Sequence, residues 1–273
     1  MYIVNNLRHD RSYKMISKAM YDRWRILLLS VSLIITSACQ NDQPDQTAQR
    51  EDTSTSESSV TIDDQLTAAA TTLNIKASDA EGTVTALLRG LATAHKAQLR
   101  GLSHRLKTQS STVRKLKKIY NKALSKGQDP TPNTLTISDA LRYTMEVDDQ
   151  PPGHYVKTVN TVLKSLEGKG FKVFKVKNSW PRGDNYSGVN VALITPKGLE
   201  WELQFHTPAS YQEAKRSHVL YEQLRAEDTP LKKRQELFST MSAPWDSIAV
   251  PQGVLTPHNL HEVEEIKQWD APQ

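Results

Sequence analysis

The chain has 273 residues, 37% of them hydrophobic and 24% charged, which is enough apolar content for one hydrophobic core of ordinary size. This length excludes two large catalytic domains, and the single cysteine excludes a disulfide framework. The formal charge of +5 is unevenly spread along the chain. Eleven Lys and Arg residues and no acidic residue lie between positions 82 and 128, so this segment is a candidate surface for phosphate groups.

The N-terminal segment has the order of a secretory signal. Arg23 and Arg25 precede an apolar run at 26–38, which ends in small residues and Cys39. This order resembles a bacterial lipoprotein signal, in which the Cys is lipidated and becomes the new N-terminus. We therefore expect a membrane-anchored lipoprotein on the periplasmic side of the cell envelope. The alternatives are an uncleaved anchor with the domain facing the cytoplasm and a secreted effector.

Four regions are predicted from the changes in composition along the chain. Residues 1–39 form the signal peptide or anchor, and residues 40–62 form an acidic polar linker that has almost nothing to bury and is expected to be disordered. Residues 63–243 carry the hydrophobic periodicity of a folded domain. Residues 244–273 form a C-terminal tail whose structure the pattern leaves unassigned.

The folded region begins with helical periodicity and then changes to strand-like alternation. Leucines recur at helical spacing between residues 63 and 126, and we expect Gly82, Gly90 and Gly101 to divide this stretch into several helices. The later pattern predicts a strand at 135–147, a helix at 155–167, a strand at 171–176, a hairpin of strands at 189–195 and 199–205, and a helix at 210–226. This order predicts an α+β fold with a mixed β-sheet flanked by helices.

A spaced set of cations and one hydroxyl lies in the basic segment. Arg105 is followed by Lys107, Ser111 and Lys115, and the last three would share one face of a helix about one turn apart. Such a ladder suits a polyphosphate, because each ammonium group can meet a separate phosphate charge. The alternative is an ordinary solvated face of a Lys-rich helix.

A second motif alternates polar and apolar residues along the strand predicted at 199–205. Glu202, Gln204 and His206 point to one side, whereas Leu203 and Phe205 point to the other. The apolar side can pack, and the polar side can carry a carboxylate, an amide and an imidazole for chemistry. The alternative is an edge strand whose polar side faces water.

The order and spacing of these motifs resemble the synthetase domain of the RelA/SpoT family of nucleotide pyrophosphokinases. The resemblance covers about residues 95–225 and implies a stand-alone, nucleotidyltransferase-like domain. It implies a transferase that uses Mg²⁺ and moves pyrophosphate from ATP to the 3′-hydroxyl of a guanine nucleotide. The matching residues are Arg105, Lys107, Ser111 and Lys115; Tyr186; Glu202, Gln204 and Thr207; and His218, eleven positions after that Thr.

The resemblance implies a role for each matched position. Glu202 and Asp139 are expected to be catalytic and to bind Mg²⁺, and Glu202 also to draw the proton from the acceptor hydroxyl. Asp139 stands two positions after Ile137, where the family carries its Asp. The ATP side is expected to contact Arg105, Lys107, Ser111, Lys115 and Arg142. The acceptor side is expected to contact Lys175, Lys177, Tyr186, Asn190, Gln204, His206 and His218.

Two departures from the family motifs leave the acceptor open. The family's acceptor loop reads Gly-Tyr-x-Ser-x-His, but Asn190 stands here in place of the His, and His206 occupies a position where Arg is usual. The acceptor is therefore GDP or GTP, an adenine nucleotide, or tRNA. The other classes of function are a secreted effector of the same fold and a lipoprotein that binds a nucleotide or RNA without reacting, or that has only a structural role.

Overall fold

The computed structural model describes residues 60–180, 186–224, 226 and 228–261. The predicted signal, the lipidation site Cys39 and nearly all of the predicted linker lie outside the described residues, so these interpretations stay predictions. Within the described ranges, no helix combines the length and the apolar character that a bilayer-spanning segment requires. The predicted domain boundaries likewise stay predictions.

The described part of the chain contains both helices and strands, and the α+β prediction is confirmed. The helices are α1 (Ile62–Ala94), α2 (Gln109–Leu124), α3 (His154–Glu167), α4 (Pro208–Leu224) and α5 (Leu231–Ser242). The strands are β1 (Gln98–Arg100), β2 (Arg142–Glu146), β3 (Lys172–Asn178), β4 (Val189–Ile194) and β5 (Glu200–His206). The predicted helix at 155–167 and the predicted hairpin agree with α3 and with β4–β5 to within one residue at each end.

Helix α1 is a single helix of 33 residues, which corrects the expectation that Gly82 and Gly90 would divide it. A capping box between Thr61 and Asp64 begins the helix. A glycine inside a helix costs about 1 kcal/mol, whereas burying one leucine contributes about 1.5–3 kcal/mol. Burial of the core-facing side of α1 therefore stabilises the helix by more than the two glycines destabilise it. The buried residues of α1 are Leu66, Ala69, Ala70, Ala77, Val84, Leu88 and Ala92.

The sheet has five strands in the order β1-β2-β5-β4-β3 and is mixed, as predicted. Strands β2 and β5 are parallel, and the other neighbouring pairs are antiparallel. Strand β5 therefore lies at the centre of the sheet, and the alternative of a solvated edge strand is wrong. An interior strand must bury its apolar side, and Leu203 and Phe205 are fully buried.

The strand predicted at 135–147 is only half correct, because β2 begins at Arg142. Before it, the chain forms two short 3-10 turns, Pro132–Thr134 and Ser138–Ala140. Main-chain hydrogen bonds join Lys107 N to Ala140 O and Arg142 N to Arg105 O. These bonds hold the second turn, which contains Asp139, against the segment that leads into α2.

The beginning of the C-terminal tail packs on the domain, although its sequence pattern left it unassigned. A 3-10 turn at Ala243–Ser247 follows α5 and buries Trp245. Farther along, Asn178 Nδ2 donates to Val254 O at 2.8 Å, and Asn160 Nδ2 donates to Asn259 O at 2.6 Å. The described part of the tail is thereby attached to β3 and α3.

Candidate nucleotide site on the polar face of the sheet

The strand register places two polar rows side by side on one face of the sheet. Directly opposed residues of neighbouring strands share a face, so each row runs across β3, β4, β5 and β2. The opposite face carries the buried apolar residues of the same strands. The first row is Lys175, Ala192, Glu202 and Arg142, and the second row is Lys177, Asn190, Gln204 and Thr144. Six of the residues predicted for the site are thus brought together.

Glu202 lies at the centre of this face with its two carboxylate oxygens in different environments. Its Oε1 accepts hydrogen bonds from Asn190 Nδ2 at 3.1 Å and from Gln204 Nε2 at 3.0 Å. Gln204 is in turn oriented by Thr144 Oγ1 at 3.4 Å. Among the described residues, no donor reaches Oε2. One oxygen is therefore fixed by two amides, and the other is available for a proton or a cation.

Asp139 is the meeting point of two lysines of the basic segment. Lys107 Nζ lies 3.0 Å from Asp139 Oδ2, and Lys115 Nζ lies 2.6 Å from Oδ1. Burial acts to raise the pKa of the Asp139 carboxyl, but the two ammonium groups outweigh it and hold this pKa below its usual value. Both carboxylate oxygens are engaged, and the two cations are drawn to one point.

The predicted helical ladder is only partly formed, because α2 begins at Gln109 and leaves Lys107 outside it. Thr108 is the N-cap residue, and its hydroxyl accepts from the amide of Ser111. The first turn of α2 contains no acidic residue. A helix N-terminus with two nearby ammonium groups and the half-buried Ser111 is suited to bind phosphate oxygens.

Protonation of the Asp139 carboxylate should make the domain less stable in acid. Its folded pKa is lower than the unfolded value near 3.8, so its contribution is complete above that pH and is lost as pH falls through the folded pKa. The lysines are partly exposed, so we expect Asp139→Asn to lower the free energy of unfolding by about 1–2 kcal/mol at pH 7 and by less at pH 3. Urea unfolding of the wild type and of Asp139→Asn measures this difference in the free energy of unfolding. The same difference at pH 7 and pH 3 would contradict the prediction.

Within the described part of the chain, the side chains of two predicted residues make no hydrogen bond or ion pair with the rest of the predicted site. The Arg105 guanidinium binds the Glu81 carboxylate of α1 and the Leu102 carbonyl, which holds it against α1 rather than extended towards a ligand. The second residue, His218, is exposed on α4. Their predicted roles in binding ATP and acceptor stay predictions.

Tyr186 lies beside Glu202, and its hydroxyl group has two hydrogen-bond partners. The Tyr186 hydroxyl donates to Asn190 Oδ1 at 2.8 Å and lies 2.8 Å from His206 Nε2. Burial, and next the negative charge of Glu202, raises the pKa of Tyr186. The ring meets His206 edge-on at a centroid distance of 5.1 Å and Trp245 at 5.8 Å. Tyr186 therefore presents a ring surface whose orientation is set by three neighbours.

His206 is 1% exposed, and among the described residues its hydrogen bond towards the site goes to Tyr186. Its Nδ1 lies 3.0 Å from Ser210 Oγ. Burial lowers the pKa of His206 to about 4, although a hydrogen bond with the Ser187 backbone acts in the opposite direction. A side-chain carbon at Gly188 would lie 3.0 Å from His206 Cε1, so glycine is what allows the loop to approach this close. The imidazole is neutral at pH 7.

Three residues that contact the site were missed by sequence reasoning. Glu81 and Trp245 stand in no recognisable motif, so no local signal identifies them. Ser210 has one: Thr207 N donates to Ser210 Oγ at 2.9 Å and Ser210 N to Thr207 Oγ1 at 3.2 Å, a reciprocal cap with Pro208 at the first helical position. The order Thr-Pro-x-Ser could have located both the helix start and this serine.

A magnesium ion would find one suitable carboxylate here. In the described ranges, no cluster of three or more His, Cys, Asp or Glu residues could hold a metal alone. Mg²⁺ bound with a nucleotide takes one or two carboxylates and otherwise phosphate oxygens and water. Glu202 Oε2 fits this requirement. Asp139 does not fit it while Lys107 and Lys115 hold both of its oxygens.

No family model and no curated protein matches the sequence. Among solved structures, the chain is similar to the type VI effector Tas1 in complex with its immunity protein, with 24% identity and a TM-score of 0.41 over 64% of this chain and 93% of that one. It is also similar to small alarmone synthetase 1 from Bacillus subtilis bound to its product pppGpp, with 17% identity and a TM-score of 0.41 over 62% and 87% of the two chains. A third similar structure is that of a GTP pyrophosphokinase family protein from Streptococcus pneumoniae, with 17% identity and a TM-score of 0.41 over 62% of this chain and 84% of that one. The chain is thus similar to these structures, and at these identities and TM-scores the likeness supports no statement about its family, substrate or reaction.

Proposed function

We propose that this domain is a nucleotide pyrophosphokinase, which transfers pyrophosphate from ATP to the 3′-hydroxyl of a second nucleotide. The observation that carries the proposal is the asymmetric Glu202 carboxylate, with Oε1 held by two amides and Oε2 open on the polar face of the sheet. A carboxylate held in this way can accept a proton from a hydroxyl group that is placed beside it. The motif resemblance supports the same reaction.

On the donor side, the basic cluster at the start of α2 is suited to the triphosphate of ATP. Lys107, Lys115 and Ser111 lie near the N-terminal turn of α2, whose amides favour anions. The phosphates would compete with Asp139 for the two ammonium groups. Each ammonium–phosphate contact would replace an existing ion pair with Asp139.

On the acceptor side, Tyr186 offers its ring to a base, because aromatic faces stack on any purine. The 3′-hydroxyl would give its proton to Glu202 Oε2 and form a bond to the β-phosphorus of ATP. The bond from that phosphorus to the α-phosphate oxygen would break, and AMP would leave with the electron pair. Mg²⁺, held by Glu202 and the phosphates, would neutralise charge that develops on the phosphates.

The proposal is tested by incubating the full chain with γ-labelled ATP and GDP, GTP, ADP, ATP or tRNA as acceptor, with and without Mg²⁺. We expect label in the acceptor together with one AMP per transfer, because the γ-phosphate travels with the β-phosphate. Release of ADP with transfer of one labelled phosphate would indicate an ordinary kinase and contradict the proposal. So would the absence of transfer to every acceptor.

A second candidate function is nucleotide binding without reaction. The observation that favours it is the engagement of both Asp139 oxygens by lysines, which keeps this carboxylate from a metal ion. Calorimetry would separate the two candidates. Binding of ATP that is equally tight with and without Mg²⁺, with no AMP formed, would favour the binding function.

A further inference from the structure

Four hydrogen bonds connect a buried serine to the Glu202 carboxylate. Ser210 Oγ lies 3.0 Å from His206 Nδ1, and His206 Nε2 lies 2.8 Å from the Tyr186 hydroxyl. The Tyr186 hydroxyl lies 2.8 Å from Asn190 Oδ1, and Asn190 Nδ2 lies 3.1 Å from Glu202 Oε1. We call these five residues the relay.

The direction of every hydrogen bond in the relay follows from the charge on Glu202. A carboxylate only accepts, so Asn190 must turn its amide nitrogen towards Glu202 and its oxygen towards Tyr186. Tyr186 then donates its one hydrogen to Asn190. The Tyr186 oxygen must therefore accept its other bond from the Nε2–H of His206.

The remaining bonds agree with this direction. A neutral imidazole that carries its hydrogen on Nε2 has an acceptor at Nδ1, and Ser210 can donate to it. The Ser210 oxygen in turn accepts from the Thr207 amide at 2.9 Å. Ser210 Oγ also lies 3.3 Å from Thr207 O, so its hydrogen has two acceptors within reach, whereas the bonds from His206 Nε2 to Glu202 have a single direction.

The buried end of the relay is rigid. His206 is 1% exposed and Ser210 is fully buried. Gly188 lies against the imidazole so closely that a side-chain carbon there would be 3.0 Å from His206 Cε1 and 3.1 Å from the Tyr186 hydroxyl. A buried imidazole held by Ser210, Tyr186 and the Ser187 backbone cannot turn towards a ligand, so among the described residues its connection to the polar face is the hydrogen bond to Tyr186.

We infer that His206 is a positioning residue that, through Tyr186 and Asn190, fixes the orientation of the Glu202 carboxylate and keeps Oε2 open. This inference rests on the proposed function, because it assigns Glu202 the reacting oxygen. It also limits what Tyr186 can do. The hydroxyl of Tyr186 has no hydrogen left for a substrate, so only its ring can contact the acceptor base.

Two substitutions of His206 separate positioning from packing. In His206→Gln, the side-chain amide nitrogen can take the place of Nε2 and still donate to Tyr186, whereas in His206→Asn the shorter side chain reaches only the Ser210 end. We expect His206→Gln to keep kcat within about threefold of the wild type, and His206→Asn and Tyr186→Phe to lower it about tenfold. The KM for the acceptor should stay within about twofold in all three, since the Tyr186 ring remains. Equal losses in the Gln and Asn variants, or a change in KM alone, would overturn the inference.

A measurement that needs no activity tests the relay by itself. The ¹⁵N chemical shifts of the His206 imidazole in the full chain at pH 7 should report a neutral ring with its hydrogen on Nε2. A hydrogen on Nδ1, or a doubly protonated ring, would overturn the inference. If the wild type transfers no pyrophosphate, the proposed function fails, while these shifts still decide whether the relay exists.

Discussion

Glu202→Gln should lower kcat for pyrophosphate transfer by at least about 100-fold, because a neutral amide cannot accept the proton of the attacking hydroxyl. The replacement keeps the shape of the side chain and an oxygen that can accept from Asn190 and Gln204. The polar face should therefore stay intact, and the KM for ATP should change little. Initial rates of AMP formation under saturating ATP and acceptor measure the effect.

A matched control for this substitution lies on the same strand. Glu200 stands two positions before Glu202, so its side chain emerges on the same side of β5. Its carboxylate makes no hydrogen bond to the described residues, and burial raises its pKa. Glu200→Gln should leave kcat within about twofold of the wild type. Similar losses in the two variants would mean that the charge of the strand, and not the position of one carboxylate, matters.

Removing the two lysines that meet at Asp139 should raise the KM for ATP by more than about 100-fold. A hydrogen bond to a charged group contributes about 1.5–3 kcal/mol, which is roughly 10-fold to 100-fold for each ammonium–phosphate contact. The substitutions Lys107→Met and Lys115→Met keep most of the apolar stem of each side chain. Calorimetric titration with a non-hydrolysable ATP analogue measures the affinity directly.

This experiment needs Asp139 to be changed as well. Without its lysines, the carboxylate would be buried without a partner, and the protein would lose stability for a reason unrelated to ATP. Adding Asp139→Asn removes that charge, so the triple variant should fold, with a stability close to that of Asp139→Asn alone. Lys122→Met, in the exposed last turn of α2, is the control for a lost charge. Unchanged ATP affinity in a folded triple variant would exclude these lysines from the donor site.

The pattern of the residues predicted the local elements that carry the polar face. Alternation along 199–205 predicted β5 and the side on which Glu202 and Gln204 lie, since side chains on a strand alternate whatever the strand packs against. It also predicted the hairpin with β4, which brings Asn190 opposite Gln204. His206 departs from the alternation of exposure because Gly188 and Ser210 close over it.

The pattern of residues along the chain did not predict the contacts between distant segments. Lys107 does not share a helix with Ser111 and Lys115 as predicted, because Thr108 caps α2 and the turn containing Asp139 packs against the segment before it. Lys107 and Asp139 are 32 positions apart, and Tyr186 and Trp245 are 59 apart. No local periodicity encodes such pairs, because they depend on how complete elements pack.

Residue spacing was sufficient to predict the alternation of β5, the hairpin, the mixed α+β fold and the family resemblance. The packing of the whole domain places β5 at the centre of the sheet, brings two lysines to Asp139 and puts His206 behind Tyr186. The physical reason is that strand order and side-chain burial are settled by competition among all apolar faces for one core. Hydrogen bonds between distant residues then form wherever that packing leaves polar groups together.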